Sequence, residues 1–355
     1  MIRDDDVELM LAETAESLFR SHCSADDRRA VPDGGWSPAL WAAVERAELP
    51  LIGVPETLGG AGGTLVHWAI VIHIAARHAA PVPLAETSIA GWLLGAVGLP
   101  LANGPMTVAR ASLDGDGRAV ASAVPFGRWA DRIAVTLSDS GRSRIGTLEP
   151  AACHITPGVN LAGEPRDDLS FAVDDLHDVR SASKEIGSAL ELRLTLARTL
   201  QIAGAAEAVR DLTITHARDR FQFGVALGRM PVVRDRLAVL AEEVAAAGAS
   251  ANVAVDALAG RGDGRLAVAA AKARAGEAAG VVCRIAHQLH GAVGMTKEHD
   301  LHRFTGRLWS WRDEEGNDRN CAIAVGLMLA RPGAAGFWRL LVEPDLCAAA
   351  ERAET

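Results

Sequence analysis

The strongest constraint on the fold is the order in which two kinds of hydrophobic pattern occur along the chain. Helical spacing dominates roughly the first hundred residues and returns in the last half, whereas short β-branched runs occupy the middle. In the C-terminal half, helical spacing extends over 186–219, 233–258 and 265–290. Helices of this length pack best as antiparallel neighbours in a bundle. The sequence therefore predicts a mainly α chain with a central β-domain.

Four helices are predicted before the central region. Apolar residues in Val7–Phe19 follow helical spacing. Ser37 and Pro38 predict the N-cap and first turn of a second helix, because serine accepts a backbone N–H bond and proline fits the first turn. A third helix is predicted over 65–78 and a fourth over 88–97.

The middle of the chain predicts a small sheet or barrel. Runs at 107–109, 132–136 and 170–173 are rich in strand-forming residues and are separated by Gly, Asp, Ser and Pro. A chain of 355 residues also exceeds a typical single hydrophobic core. We predict three domains: an N-terminal helical domain at 1–104, a short β-domain at 105–182 and a C-terminal helical bundle at 183–355.

Charge and cysteine usage restrict the class of protein. A net charge of -9 and a pI of about 5.7 argue against a nucleic-acid partner, since such proteins present a basic surface. The five cysteines form no Cys-x-x-Cys pair, so we predict no disulfide framework and no metal site. The acidic start Met1–Asp6 and the interrupted apolar stretches predict no signal peptide and no membrane span. We therefore expect a cytoplasmic protein.

Two segments have the composition of a ligand site. Arg218–Gly224 follows the first long C-terminal helix, and its arginines suit phosphate oxygens. Its alternative interpretation is a charged helix end closed by Gly224. Gln288–Thr296 follows another long helix, and its small residues would let a ligand approach the backbone. Its alternative interpretation is a plain turn between helices.

Together with the glycine-rich turn at 53–63, these segments resemble motifs of the acyl-CoA dehydrogenase family. The stretch from Arg220 to Gly224 looks like the family's Arg-x-Gln-Phe-Gly segment. The stretch from Gln288 to Gly294 looks like its Gln-x-x-Gly-Gly-x-Gly segment, with Ala292 replacing the second glycine. The resemblance implies an N-terminal helical domain, a small β-barrel or sheet, a C-terminal four-helix bundle and FAD bound at a subunit interface.

The resemblance also implies binding residues and partners. One subunit of the family holds the pyrophosphate and adenosine half of an FAD whose flavin lies mainly in the neighbouring subunit. The substrate would be an acyl-CoA thioester, and electrons would leave to an electron-transfer flavoprotein or another acceptor. The cofactor-binding residues implied are Arg220, Gln222, Phe223, Gly224, Gln288, Gly291, Ala292 and Gly294.

The family's reaction needs a carboxylate to remove the acyl α-proton. Counting from Gln288 along the family pattern leads to Glu315, which is therefore the candidate catalytic base. The alternative is that 313–315 is a solvated charged turn. Some family members carry the base on the first C-terminal helix, but 192–195 holds no carboxylate here.

The chain departs from the family in its short β-domain. The family's Thr-Glu-Pro-type segment, with a later Gly-Ser-Asp, is not found between Ala102 and Val179. In this the chain resembles the shorter subunit of actinobacterial heterotetrameric acyl-CoA dehydrogenases that act on sterol side chains. Three functions remain open: a subunit paired with a different chain, a self-sufficient homomer using Glu315, and a cofactor-free structural subunit.

Overall fold

The structure is a computed structural model that describes residues 4–139, 142–260, 264–331 and 333. By its internal contacts the chain divides into two units. The first comprises Met1–Ala75 with Ala79–Arg193, and the second comprises Ala76–His78 with Leu194–Thr355. The predicted boundaries of three domains stay predictions.

The first unit begins with helices whose starts follow from local sequence. Ser24 and Asp27 form a capping box, and the Ser37 hydroxyl accepts the backbone N–H of Leu40 at 3.3 Å. The four predicted helices are confirmed, but the last of them begins earlier than expected, directly after Pro83. The helices are α1 (Asp4–His22), α2 (Ala25–Ala30), α3 (Pro38–Arg46), α4 (Leu65–Arg77) and α5 (Leu84–Ala96).

A seven-stranded sheet follows, in the order β5-β6-β2-β1-β3-β4-β7. Strands β1 and β3 are parallel, and every other neighbouring pair is antiparallel. The strands are β1 (Met106–Leu113), β2 (Ala119–Pro125), β3 (Arg132–Asp139), β4 (Arg142–Leu148), β5 (His154–Thr156), β6 (Arg166–Phe171) and β7 (His177–Ala182).

The sheet core follows from the two-residue period of its strands. Ile133, Val135 and Leu137 alternate along β3 and are fully buried. Each such side chain contributes about 1.5–3 kcal/mol when it leaves water. The predicted runs at 107–109 and 132–136 lie inside β1 and β3. The run at 170–173 only overlaps the end of β6, because Val173 opens a 3₁₀ turn.

The second unit is built from long helices, and the three predicted C-terminal helices are confirmed. Helix α8 packs against α7, α9 and α10 through small residues such as Ala271, Ala275 and Ala279, which let the helices approach closely. The elements are α6 (Lys184–Asp219), a hairpin of β8 (Phe221–Gln222) and β9 (Val225–Ala226), α7 (Pro231–Ala259), α8 (Arg265–His290), α9 (Leu301–Asp313) and α10 (Asp318–Ala330).

Among the described residues, α7 is the one helix long and apolar enough to cross a membrane by length and composition. Core helices of soluble proteins have the same two properties. Here its residues Leu240, Val244, Ala247 and Ala251 recur at three- or four-residue intervals and are buried, as expected for one face of a bundle helix.

Candidate functional site

The first candidate segment forms a short hairpin at the C-terminal end of α6. The helix ends at Asp219, and the backbone N–H of Arg220 still bonds to the carbonyl of His216 at 2.9 Å. The hairpin is then closed by the backbone N–H of Leu227, which donates to the carbonyl of Arg220 at 2.8 Å. Arg220 therefore lies at the base of the hairpin, with its side chain exposed.

The tip of the hairpin is a two-residue turn made by Phe223 and Gly224. Their φ values are +53° and +80°, the pattern of the turn type that matches the twist of paired strands. The interpretation of Gly224 as the helix stop is wrong, because the helix ends before the hairpin begins. Phe223 is 92% exposed. A bulky side chain held at positive φ in full contact with water is unusual.

The second candidate segment follows α8. Gln288 is exposed on the last turn, and Gly291 has a φ of +63° with open space where a Cβ would be. Ala292 is also exposed. Gly294 differs from them, since an added Cβ would lie 2.8 Å from the Cβ of His290. Gly294 is thus a buried packing position, whereas Gln288, Gly291 and Ala292 are exposed.

Stacked histidine rings bring the two segments together. The rings of His216 and His290 lie 4.2 Å apart and nearly parallel. His299 approaches the His290 ring edge-on at 4.8 Å. The His216 side chain also bonds to the backbone of Leu289. Because His216 lies one turn before Arg220, the ends of α6 and α8 meet beside both segments.

Burial disfavours the protonated forms of two of these histidines, His290 and His216. Burial lowers the pKa of His290 to about 4, a shift that the hydrogen bond to Ala286 opposes and to which the nearby His216, His299 and His287 contribute as potential cations. Its Nδ1–H donates to the carbonyl of Ala286 at 2.8 Å. Burial also lowers the pKa of His216, with further contributions from His299 and Arg220. In the part of the chain that is described, no group of three or more side chains is arranged to hold a metal ion.

The donor groups at this end of the bundle fit an anionic dinucleotide. Arg220 has no carboxylate partner in the described chain, whereas Arg218 pairs with Asp219 at 2.8 Å. The C-terminal carbonyls of α6 and α8 repel an anion at this end of the bundle. Binding of a phosphate here therefore depends on the guanidinium of Arg220. The open space at Gly291 and Gly224 would let a phosphate reach the backbone.

The candidate base, Glu315, lies in the turn between α9 and α10. It is half-buried and has a φ of +55°, and Gly316 follows with a φ of +88°. The turn is not simply a solvated charge run, because Glu314 Oε2 lies 2.8 Å from the buried Arg198. The predicted base lies on the turn that follows α9, whereas the predicted cofactor residues follow α6 and α8.

A buried lysine holds this turn, and the sequence interpretation missed it. The Nζ of Lys272 on α8 donates to the carbonyl of Arg312 at 2.8 Å and to that of Gly316 at 2.6 Å. The side chain is fully buried, and burial lowers the pKa of Lys272 to about 8. The sequence does carry one signal of this burial. Lys272 lies four residues after Val268 and three before Ala275, which places it on the apolar face of α8.

Comparisons with known proteins agree with this architecture. The acyl-CoA dehydrogenase N-terminal domain matches residues 5–100, and the acyl-CoA dehydrogenase C-terminal domain matches residues 189–318. The chain is 31% identical over 302 residues to the acyl-CoA dehydrogenase IpdE2 of Mycobacterium tuberculosis, covering 84% of this chain and 89% of that protein.

Two solved structures share the fold. One is a variant of the steroid ACAD Tcur3481-Tcur3483, with a TM-score of 0.83, 22% identity and coverage of 92% of this chain and 99% of that one. The other is the ChsE4-ChsE5 complex from Mycobacterium tuberculosis, with a TM-score of 0.82, 20% identity and coverage of 93% and 99%. By the matched domains and the conserved architecture, the chain belongs to the acyl-CoA dehydrogenase family.

Proposed function

We propose that this chain is a subunit of an FAD-dependent acyl-CoA dehydrogenase, and that 220–224 and 288–294 together hold the pyrophosphate and adenosine half of the FAD. The observation that carries this proposal is the contact between His216 and His290, which unites the two segments beside an arginine that has no carboxylate partner in the described chain. Arg220 would neutralise phosphate charge, and Gln288 would offer both donors and an acceptor.

The hairpin tip supports a site completed by another subunit. Phe223 is 92% exposed and Phe221 is 66% exposed. Covering one such ring contributes about 1.5–3 kcal/mol, a gain that this chain does not realise by itself. FAD, when bound, accepts the hydride that leaves the acyl β-carbon. Residues of this chain bind and orient the dinucleotide, and the flavin ring lies mainly in the neighbouring subunit.

We further propose that the neighbour is a different chain. The solved structures with this fold include one called the ChsE4-ChsE5 complex and one named as the pair Tcur3481-Tcur3483. The first helix of the C-terminal bundle carries Arg193 and no carboxylate at 192–195. In this arrangement the partner supplies the base, and the substrate is a bulky, steroid-derived acyl-CoA thioester.

A second candidate function is a self-sufficient homomeric dehydrogenase, and the Glu315 turn favours it. Lys272 bonds to the backbone carbonyls of Arg312 and Gly316, so the backbone that carries Glu315 is held in place. Glu315 would then remove the acyl α-proton. A third alternative is a cofactor-free structural subunit, which contributes no residue to a flavin site in any assembly.

The visible absorption spectrum separates these functions. The chain is purified alone and after co-expression with a full-length acyl-CoA dehydrogenase from the same gene neighbourhood, and each preparation is then mixed anaerobically with a steroid acyl-CoA. A colourless chain that becomes yellow and substrate-bleachable only with the partner supports the heteromer. Near-stoichiometric, bleachable flavin in the chain alone supports the homomer. A partner complex whose flavin content and bleaching match those of the partner alone supports the structural subunit.

The base is tested with Glu315→Gln in whichever preparation is active. In a homomer this substitution should leave the flavin bound but abolish bleaching by acyl-CoA. Asp313→Asn is the matched control, because it removes one exposed negative charge from the same region. In the heteromer, Glu315→Gln should bleach as the wild type does, since the partner provides the base.

A further inference from the structure

A pocket in the first unit combines apolar walls with one cation. It has a volume of about 240 Å³ and lies between α4, α5, the turn at 53–58 and the start of α6. No acidic residue lines it. The side chains that shape it are Leu58, Leu65, Trp68, Ile89, Trp92 and Arg193.

The guanidinium of Arg193 lies over an aromatic wall of this pocket. Its Cζ is 3.7 Å from the centroid of the Trp92 ring, within the range of a cation–π contact. A cation–π contact is not a hydrogen bond, so it does not by itself use up the N–H donors of the guanidinium. The one hydrogen bond that Arg193 makes in the described chain is a long one, 3.4 Å, to the carbonyl of Ala189.

The charge of Arg193 is not neutralised by the protein described. No carboxylate pairs with it in the described residues, and burial lowers its pKa to about 10, so it stays a cation at neutral pH. Some other half-buried arginines of the chain have a carboxylate partner. Arg128, for example, pairs with the fully buried Asp167. A half-buried guanidinium that lacks a counter-ion and faces a pocket has unused capacity to bind an anion.

We infer that this pocket binds a compact apolar ligand that carries a carboxylate, with Arg193 bonding to the carboxylate and the tryptophans packing on its carbon frame. The planar edge of a guanidinium matches the two oxygens of a carboxylate. Trp68 is buried, and it packs closely on the backbone of Gly53, where an added Cβ would lie 2.9 Å from the Trp68 Cβ. The size of the pocket selects a ligand with about one ring rather than an extended chain.

The test compares two ligands of equal shape that differ in charge. Cyclohexanecarboxylate and its neutral analogue cyclohexanecarboxamide are titrated into the full chain and binding is followed by calorimetry. The carboxylate should bind at least about 10-fold more tightly than the amide, because a hydrogen bond to a charged group adds that much. Arg193→Met should reduce this ratio to about one, since it removes the charge and keeps the apolar stem.

Two further variants locate the site. Arg210→Met removes a half-buried arginine of the same helix that pairs with Asp211, and it should keep the full preference for the carboxylate. Ala96→Phe narrows the pocket from an exposed position on its edge and should weaken both ligands alike. Circular dichroism of each variant confirms that the fold is intact.

Three results would overturn the inference. They are equal affinity of the two ligands for the wild-type chain, no measurable binding of either, and a carboxylate preference that survives Arg193→Met. Unchanged binding in Ala96→Phe would also contradict it, by placing the ligand elsewhere. None of these measurements needs flavin or a partner subunit, so a failure of this inference is distinguishable from a failure of the proposed function.

Discussion

Replacing His290 should change the pH dependence of stability by a calculable amount. The side chain is 5% exposed at the end of α8, and its pKa is lowered from 6.5 to about 4. At pH 8 the histidine is neutral in both the folded and the unfolded chain, so its titration contributes nothing. Below pH 6.5 the unfolded chain binds a proton that the folded chain refuses, and stability falls until the pH passes through about 4.

The size of the effect follows from the gap between the two pKa values. One pKa unit corresponds to about 1.4 kcal/mol, so at pH 5 the wild-type chain loses about 2 kcal/mol through this residue. His290→Gln removes the titration and keeps an amide that can donate to the carbonyl of Ala286. The variant should therefore gain about 2 kcal/mol relative to the wild type between pH 8 and pH 5.

The assay is urea unfolding at both pH values, followed by circular dichroism. His154→Gln, at an exposed position on β5, is the control and should leave the pH dependence of the wild type unchanged. His216, His299 and His287 lie beside His290 and are present in both proteins, so only the difference in stability between wild type and variant is interpreted. A difference in the free energy of unfolding between wild type and His290→Gln that is the same at pH 8 and pH 5 would refute the reasoning.

Three further substitutions test the packing around the two candidate sites. Lys272→Met should destabilise the chain by about 2 kcal/mol in urea unfolding, because two buried carbonyls lose their donor; full stability would show that the turn holds itself. Gly294→Ala should cost about 1–3 kcal/mol through overpacking, whereas Gly326→Ala, in open space on α10, should not destabilise the chain. Phe223→Gly should raise the melting temperature of the isolated chain, because it relieves about 1 kcal/mol of backbone strain at the hairpin tip, and it should lower flavin retention in the assembled enzyme; a lower melting temperature would contradict the strain.

Local signals predicted most of the regular structure. Features that depend on neighbouring residues were predicted, and the structure confirms them. They include the cap at Ser37, the strand residues of β3 and the bounds of α8. Helices α9 and α10 had no clear periodic signal. In Leu301–Asp313, charged and aromatic residues interrupt the apolar positions that would mark a helix.

Features that depend on distant residues were not predictable in this way. Lys272 is buried because it bonds to two carbonyls that lie 40 and 44 residues further along the chain. The contact between His216 and His290 depends on how helices pack, which periodicity does not encode. The resemblance to a family indicated which segments to compare, and it also counted Gly294 among the cofactor-binding residues, although packing buries this glycine.

The affinity of FAD for variants at the end of α6 tests the central claim most directly. Arg220→Gln and Arg218→Gln remove arginines two positions apart, both exposed, but only Arg218 is paired with Asp219. Flavin content and FAD dissociation constant are measured in whichever assembly binds flavin. We expect FAD to bind at least about 10-fold more weakly to Arg220→Gln and with near wild-type affinity to Arg218→Gln. Equal retention in both variants would contradict a role for Arg220 in holding the pyrophosphate.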